Sequence, residues 1–104
     1  MRKLFVAGML VAGLMTSANA QVDPELATES GCFACHRQEV GIIGPSYDDV
    51  YEKYKDDEDA EDYLVHKVQN GGAGVWGDIP MAPNFHVDED DIRLMVEQIL
   101  HKAE

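Results

Sequence analysis

Three features of this sequence predict an all-α fold. Apolar side chains recur every three to four residues in several stretches, and helix start and stop residues bound those stretches. No segment alternates apolar and polar residues as a half-buried strand would. The reading is four to five helices in one domain, which is all that 104 residues allow.

Residues 1–20 stand apart. Arg2 and Lys3 give a positive start, Leu4 to Met15 is apolar, and Ala18-Asn19-Ala20 closes the stretch with small residues. This pattern predicts a cleaved signal peptide and an exported, periplasmic domain of residues 21–104. The alternative is an uncleaved anchor, but the apolar run falls short of the about 20 residues a bilayer span needs.

The first helix is expected to start at Asp23-Pro24-Glu25, an acceptor at the cap followed by proline and a carboxylate in the first turn, and to run to the cysteines. A second follows Gly44-Pro45-Ser46, with Ser46 as its cap and Tyr47, Val50, Tyr51 and Tyr54 on one face. A third follows the acidic run Asp56 to Asp59. Ala60, Leu64 and Val68 form its stripe, Tyr63 lies alongside, and Asn70-Gly71-Gly72 ends it. A fourth starts at Asp88, with Val87 and Ile92 placed as a hydrophobic staple and Ile92, Met95, Val96 and Ile99 facing inward. Between the third and fourth lies Gly71 to Phe85, where Pro80 and Pro83 forbid a regular helix. A loop this long in so small a domain is usually functional.

Charge narrows the partners. The chain holds 20 acidic against 8 basic side chains, formally −12. Two of the basic ones, Arg2 and Lys3, lie in the leader, so the exported part is more acidic still. Such a surface argues against nucleic acid, whose binding rests on Lys and Arg neutralising phosphates, and against anionic lipid. It suits a partner with a basic docking surface, or plain solubility in a salty exterior.

Gly31-Cys32-Phe33-Ala34-Cys35-His36 contains C-x-x-C-H, the attachment pattern of c-type haem. Thiols three residues apart on a helix share a face. There both can form thioethers to one haem, and the adjoining His36 can turn its imidazole onto the iron. Covalent attachment keeps the cofactor after export. A redox dithiol would want a β-α-β frame that is not seen here, and zinc would want more ligands at metal spacing.

The sixth iron position decides between electron transfer and binding of a small ligand. Met95 sits at core spacing and reads as packing. Met81 lies between Pro80 and Pro83, where an irregular loop can aim it; gap filling is its bland reading. His86 shares that loop and is the rival ligand, whereas His66 and His101 read as surface groups.

With G-C-F-A-C-H at 31–36, G-P-S-Y at 44–47, D-V-Y-E-K-Y at 49–54, V-Q-N-G at 68–71 and G-V-W-G-D-I-P-M-A-P-N at 74–84, the sequence resembles the small bacterial class I cytochromes c of the Pseudomonas cytochrome c-551 type. The resemblance spans nearly all of Pro24 to Lys102. It implies the cytochrome c fold wrapped around one haem c per chain, attached through Cys32 and Cys35, with His36 and Met81 on the iron. It further implies that Pro45 accepts from the second nitrogen of His36, that Asn84 bonds near the Met81 sulfur, and that Trp76 points its indole N–H at a propionate. From the residues alone, Trp76 could equally be core. Lys67 stands where the family can carry arginine toward a propionate, and lysine lacks the two-pronged geometry. The implied activity is not enzymatic. It is that of a soluble one-electron Fe(III)/Fe(II) shuttle between respiratory or photosynthetic partners, docking through a haem edge rimmed by Phe33, Ile42, Ile43, Ala82 and Pro83.

Overall fold

The computed structural model describes residues 21–102. The expected leader, 1–20, lies outside the described residues. Among the described residues four α-helices follow one another: α1 (Pro24–Glu29), α2 (Tyr47–Tyr54), α3 (Ala60–Asn70) and α4 (Glu89–Ile99), with a 3-10 turn at Cys32–Ala34 between the first two. There is no sheet among the described residues, only the isolated bridges His36 to Gly41 and Gly72 to Met81. Nor is any described helix long and apolar enough to cross a membrane.

The first helix stops earlier than its pattern suggests. Asp23 caps it by accepting from the main-chain N–H groups of Glu25 and Leu26, and Pro24 opens it as expected. It ends at Glu29, with Ser30 as C-cap and Gly31 in the left-handed region at φ 84°. The cysteines therefore sit on a 3-10 turn instead of an α-helix. Cys32 opens that turn and Cys35 caps it, donating its N–H to Cys32 O at 3.2 Å, and both line the same cleft.

The other elements follow their signals. Ser46 Oγ accepts from Asp49 N at 3.0 Å and starts α2. Gly71, at φ 74°, ends α3 and donates to Lys67 O at 2.7 Å. Asp88 precedes α4 in extended backbone, and Glu89, Asp90 and Asp91 place negative charge at the positive end of its dipole.

The helices α3 and α4 form the principal packed pair, and α2 leans on α4. One apolar cluster joins Val50, Ala60, Leu64, Val65, Ile92, Val96 and Leu100; a second joins Val22, Ala27, Tyr47 and Met95. Met95 is packing, as its spacing implies. Val87 and Ile99 touch both clusters and connect them. Ile92 is fully buried, which is worth about 1.5–3 kcal/mol for such a side chain. Outside the core, Arg93 bridges α4 to α3 through Glu61 at 2.8 Å and Asp62 at 2.9 Å.

Candidate haem site

A cleft of about 670 Å³ opens between the 3-10 turn, the α2 and α3 faces and the 71–84 loop. Both core clusters reach it: Tyr47 and Met95 from one, Val50, Leu64, Ile92 and Val96 from the other. A volume of this order, apolar with a few polar groups, is that of a cofactor site, commonly about 300–1,000 Å³.

On its cysteine wall, Cys32, Cys35 and His36 line the cleft together. His36 Nδ1 lies 2.8 Å from Pro45 O. A carbonyl oxygen only accepts, so Nδ1 carries the proton and Nε2 keeps its lone pair for a metal. The turn that brings Pro45 there is held by Gly44 N donating to Cys35 O at 2.9 Å and Tyr47 N to Arg37 O at 2.9 Å. Gly44 is needed for space: a Cβ there would collide with the His36 ring.

Tyr47 is a site residue that its helix spacing does not reveal. Its ring stacks on His36 with centroids 5.5 Å apart, and its hydroxyl bonds the Cys32 sulfur. Burial, then the neighbouring Cys32 charge and this bond, hold the phenol well above its ordinary range. Burial likewise pushes the Cys32 thiol up, with the Tyr47 bond pulling the other way. Among the described residues no group of three or more His, Cys, Asp or Glu converges as a metal cluster.

On the loop wall, Met81 faces the same cleft. Gly72 and Met81 exchange main-chain hydrogen bonds, Gly72 N to Met81 O at 3.0 Å and Met81 N to Gly72 O at 2.8 Å, which close the loop between them. Asn84 also lines the cleft, but its amide nitrogen donates to Val68 O at 3.1 Å and Ala82 O at 3.2 Å. Both amide protons thus go to main-chain carbonyls and not to the sulfur, and Asn84 ties the loop to α3. Trp76 lines the cleft while 46% exposed, so it is not plain core. Lys53 Nζ sits 5.9 Å from its ring centroid, a cation near the fringe that the sequence reading missed. Lys67 lines the cleft and lies over Tyr63 at 5.7 Å. His86 is not among the lining residues; its Nε2 lies 3.2 Å from Ser30 O. His66 is exposed, and His101 stacks on Tyr51 with centroids 3.7 Å apart.

Two thiols at the ends of one turn, an imidazole with a free Nε2 and a thioether, all on one apolar cleft, fit a covalently held haem, and so define a small haem-c protein. Comparison with known proteins agrees. The cytochrome c family model matches residues 24–102. The chain is 46% identical over 92 residues to cytochrome c-551 of Allochromatium vinosum, across 88% of this chain and 98% of that protein. It is 35% identical over 102 residues to cytochrome c-551 of Pseudomonas aeruginosa, across 96% and 97%. The crystal structure of wild-type Nitrosomonas europaea cytochrome c552 superposes with a TM-score of 0.72 at 42% identity, covering 75% of this chain and 96% of that one. The chain belongs to the cytochrome c family, whose members are electron-transfer haem proteins. Its haem c is attached through the C-x-x-C-H pair Cys32 and Cys35.

Proposed function

We propose that residues 21–104 form a periplasmic one-electron carrier, released from a signal peptide at 1–20, whose iron is held by His36 and Met81. The observation that carries this reading is the 2.8 Å bond from His36 Nδ1 to Pro45 O, on a cleft that Met81 also lines. When bound, the haem supplies a one-electron Fe(III)/Fe(II) couple. His36 presents Nε2 in one tautomer and one orientation. Met81 offers a neutral thioether, which raises the potential relative to harder ligands and fills the sixth position. Were His36 and Met81 both to hold the iron, they would leave no open position for substrate, and the haem would supply electron exchange alone. Lys67 and the Trp76 indole N–H are the candidate partners for propionates, with Lys53 adding positive charge beside Trp76.

The docking surface follows from exposure and charge. Ile42 and Ile43 are 54% and 57% exposed, and Ala82 and Pro83 are exposed beside Met81. Phe33 is half-buried at the same rim. These apolar groups allow brief contact, while carboxylates on α2, α3 and α4 attract a basic respiratory or photosynthetic partner at long range.

Absorbance spectra of oxidised and reduced protein, with carbon monoxide added to the reduced form, test the ligand set. The expected result is a low-spin haem with the weak sulfur-to-iron charge-transfer band when oxidised, and little carbon monoxide binding. A high-spin haem that binds carbon monoxide readily would favour a sensor or haem enzyme instead. Stopped-flow transfer to a basic redox protein should slow as ionic strength rises; rates indifferent to salt would remove the steering argument.

A further inference from the structure

Apart from the packing of Val87 on the core, the 71–87 segment is hydrogen-bonded almost wholly to its own flank. The Gly72–Met81 pair closes it, and Asn84 fastens it to α3 through Gln69 O at 3.1 Å and Val68 O at 3.1 Å. None of these bonds fixes the loop relative to the wall that carries His36, although that separation determines whether a sulfur can stay on the iron. One bond does span the two walls. His86 Nε2 lies 3.2 Å from Ser30 O, across 56 residues of sequence. Ser30 is buried, caps α1, and stands two residues before Cys32. Among the described residues, no other hydrogen bond or ion pair joins 71–87 to 22–48.

The chemistry of that bond is one-directional. A carbonyl accepts, so His86 Nε2 carries a proton and donates, and that nitrogen has no lone pair for iron. His86 also lies outside the cleft lining. Val87 beside it packs on both core clusters, but the Met81 side of the segment is open, with Phe85 78% exposed.

We propose that His86 is a positioning residue: by clamping the Met81 loop to the Ser30 carbonyl, at the root of the haem-attachment turn, it sets how firmly Met81 is held on the iron. This rests on the His36/Met81 reading above. A thioether is a weak, uncharged ligand, and its hold depends on how little the loop must move to keep it in place. With the clamp removed, the loop can swing away while still tied to α3, and an external ligand competes more easily.

The test compares mature haem-loaded wild type with His86→Ala, His86→Gln and Met81→Ala. Imidazole is titrated into each ferric protein, the sulfur-to-iron band is followed, and the midpoint potential is measured. His86→Ala should bind imidazole roughly 3- to 10-fold more tightly, the scale of one lost hydrogen bond, and its potential should fall. His86→Gln, whose side-chain amide can donate to the same carbonyl, should recover most of both. A merely stabilising surface contact would lower the melting temperature and leave the imidazole affinity and potential unmoved; that result overturns the proposal. A wild type without the sulfur band, together with an unchanged spectrum in Met81→Ala, overturns the ligand reading beneath it instead. A high-spin spectrum in His86→Ala alone would make His86 itself the ligand and overturn both.

Discussion

His36 and Met81 reach one cleft by two different kinds of construction. The His36 segment is short and cross-braced. Main-chain bonds join Gly44 to Cys35, Tyr47 to Arg37 and Asp48 to Gln38, and the buried Ser46 and Tyr47 pack behind it. The imidazole is then fixed by Pro45 O and by the Tyr47 ring. The Met81 segment is long and open. Gly71, Gly72, Gly74 and Gly77 all have positive φ, and Ile79 and Phe85 are 69% and 78% exposed. It is fastened near its ends, by the Gly72–Met81 pair and Asn84. One wall is therefore set by local sequence and the other by loop closure, and the second should yield first under strain.

The sharpest way to break this comparison is to remove what both walls share. Cys32→Ser combined with Cys35→Ser abolishes the tether, and both apolar clusters lose the group they would pack against. A chain this short holds a marginal core without a cofactor. The double variant should lack cooperative helical structure by circular dichroism, and a stably folded apo-chain would contradict this. Next in size, Met81→Ala should give a high-spin spectrum, a lower potential and carbon monoxide binding when reduced, with about 2 kcal/mol or more lost in denaturant unfolding. An unchanged low-spin spectrum and potential would move the sixth ligand elsewhere.

A paired glycine experiment sharpens the contrast. A Cβ on Gly44 would collide with the His36 ring, and one on Gly71 would collide with Met81 O. Each alanine variant should cost about 1–3 kcal/mol by overcrowding. Gly44→Ala should shift the hyperfine-shifted imidazole resonances and spare the sulfur band, whereas Gly71→Ala should weaken the band. Identical spectra from the two would mean that the walls are not independent. The smallest effect belongs to Ser46→Ala, which removes the α2 cap for about 1 kcal/mol. Its melting temperature should fall by about 4–8 °C, with haem spectra unchanged.

Much of this was legible before any coordinates. Pro24, Ser46, Gly71 and Asp88 mark helix ends through backbone chemistry that acts over four residues, and each end falls where its signal stands. The early stop of α1 was harder to see. Gly31 can end a helix or sit within one, and its φ of 84° is chosen only once Cys32 and Cys35 must face the cleft. Tyr47 was read as one member of a helical face because spacing cannot show that its ring lies on His36. Asn84 was expected to bond near the Met81 sulfur, yet its donors go to Val68 O and Ala82 O, a choice made by where α3 passes.

Local rules therefore determined the helices, the pairing of two cysteines three residues apart and the acidic surface, since capping, periodicity and charge are properties of neighbouring residues. Tertiary structure alone decided the stacking of Tyr47 on His36, the partners of Asn84 and the link from His86 to Ser30. Those depend on which distant carbonyl or ring lies within about 3–6 Å of a side chain, and that is settled only when the chain closes on itself.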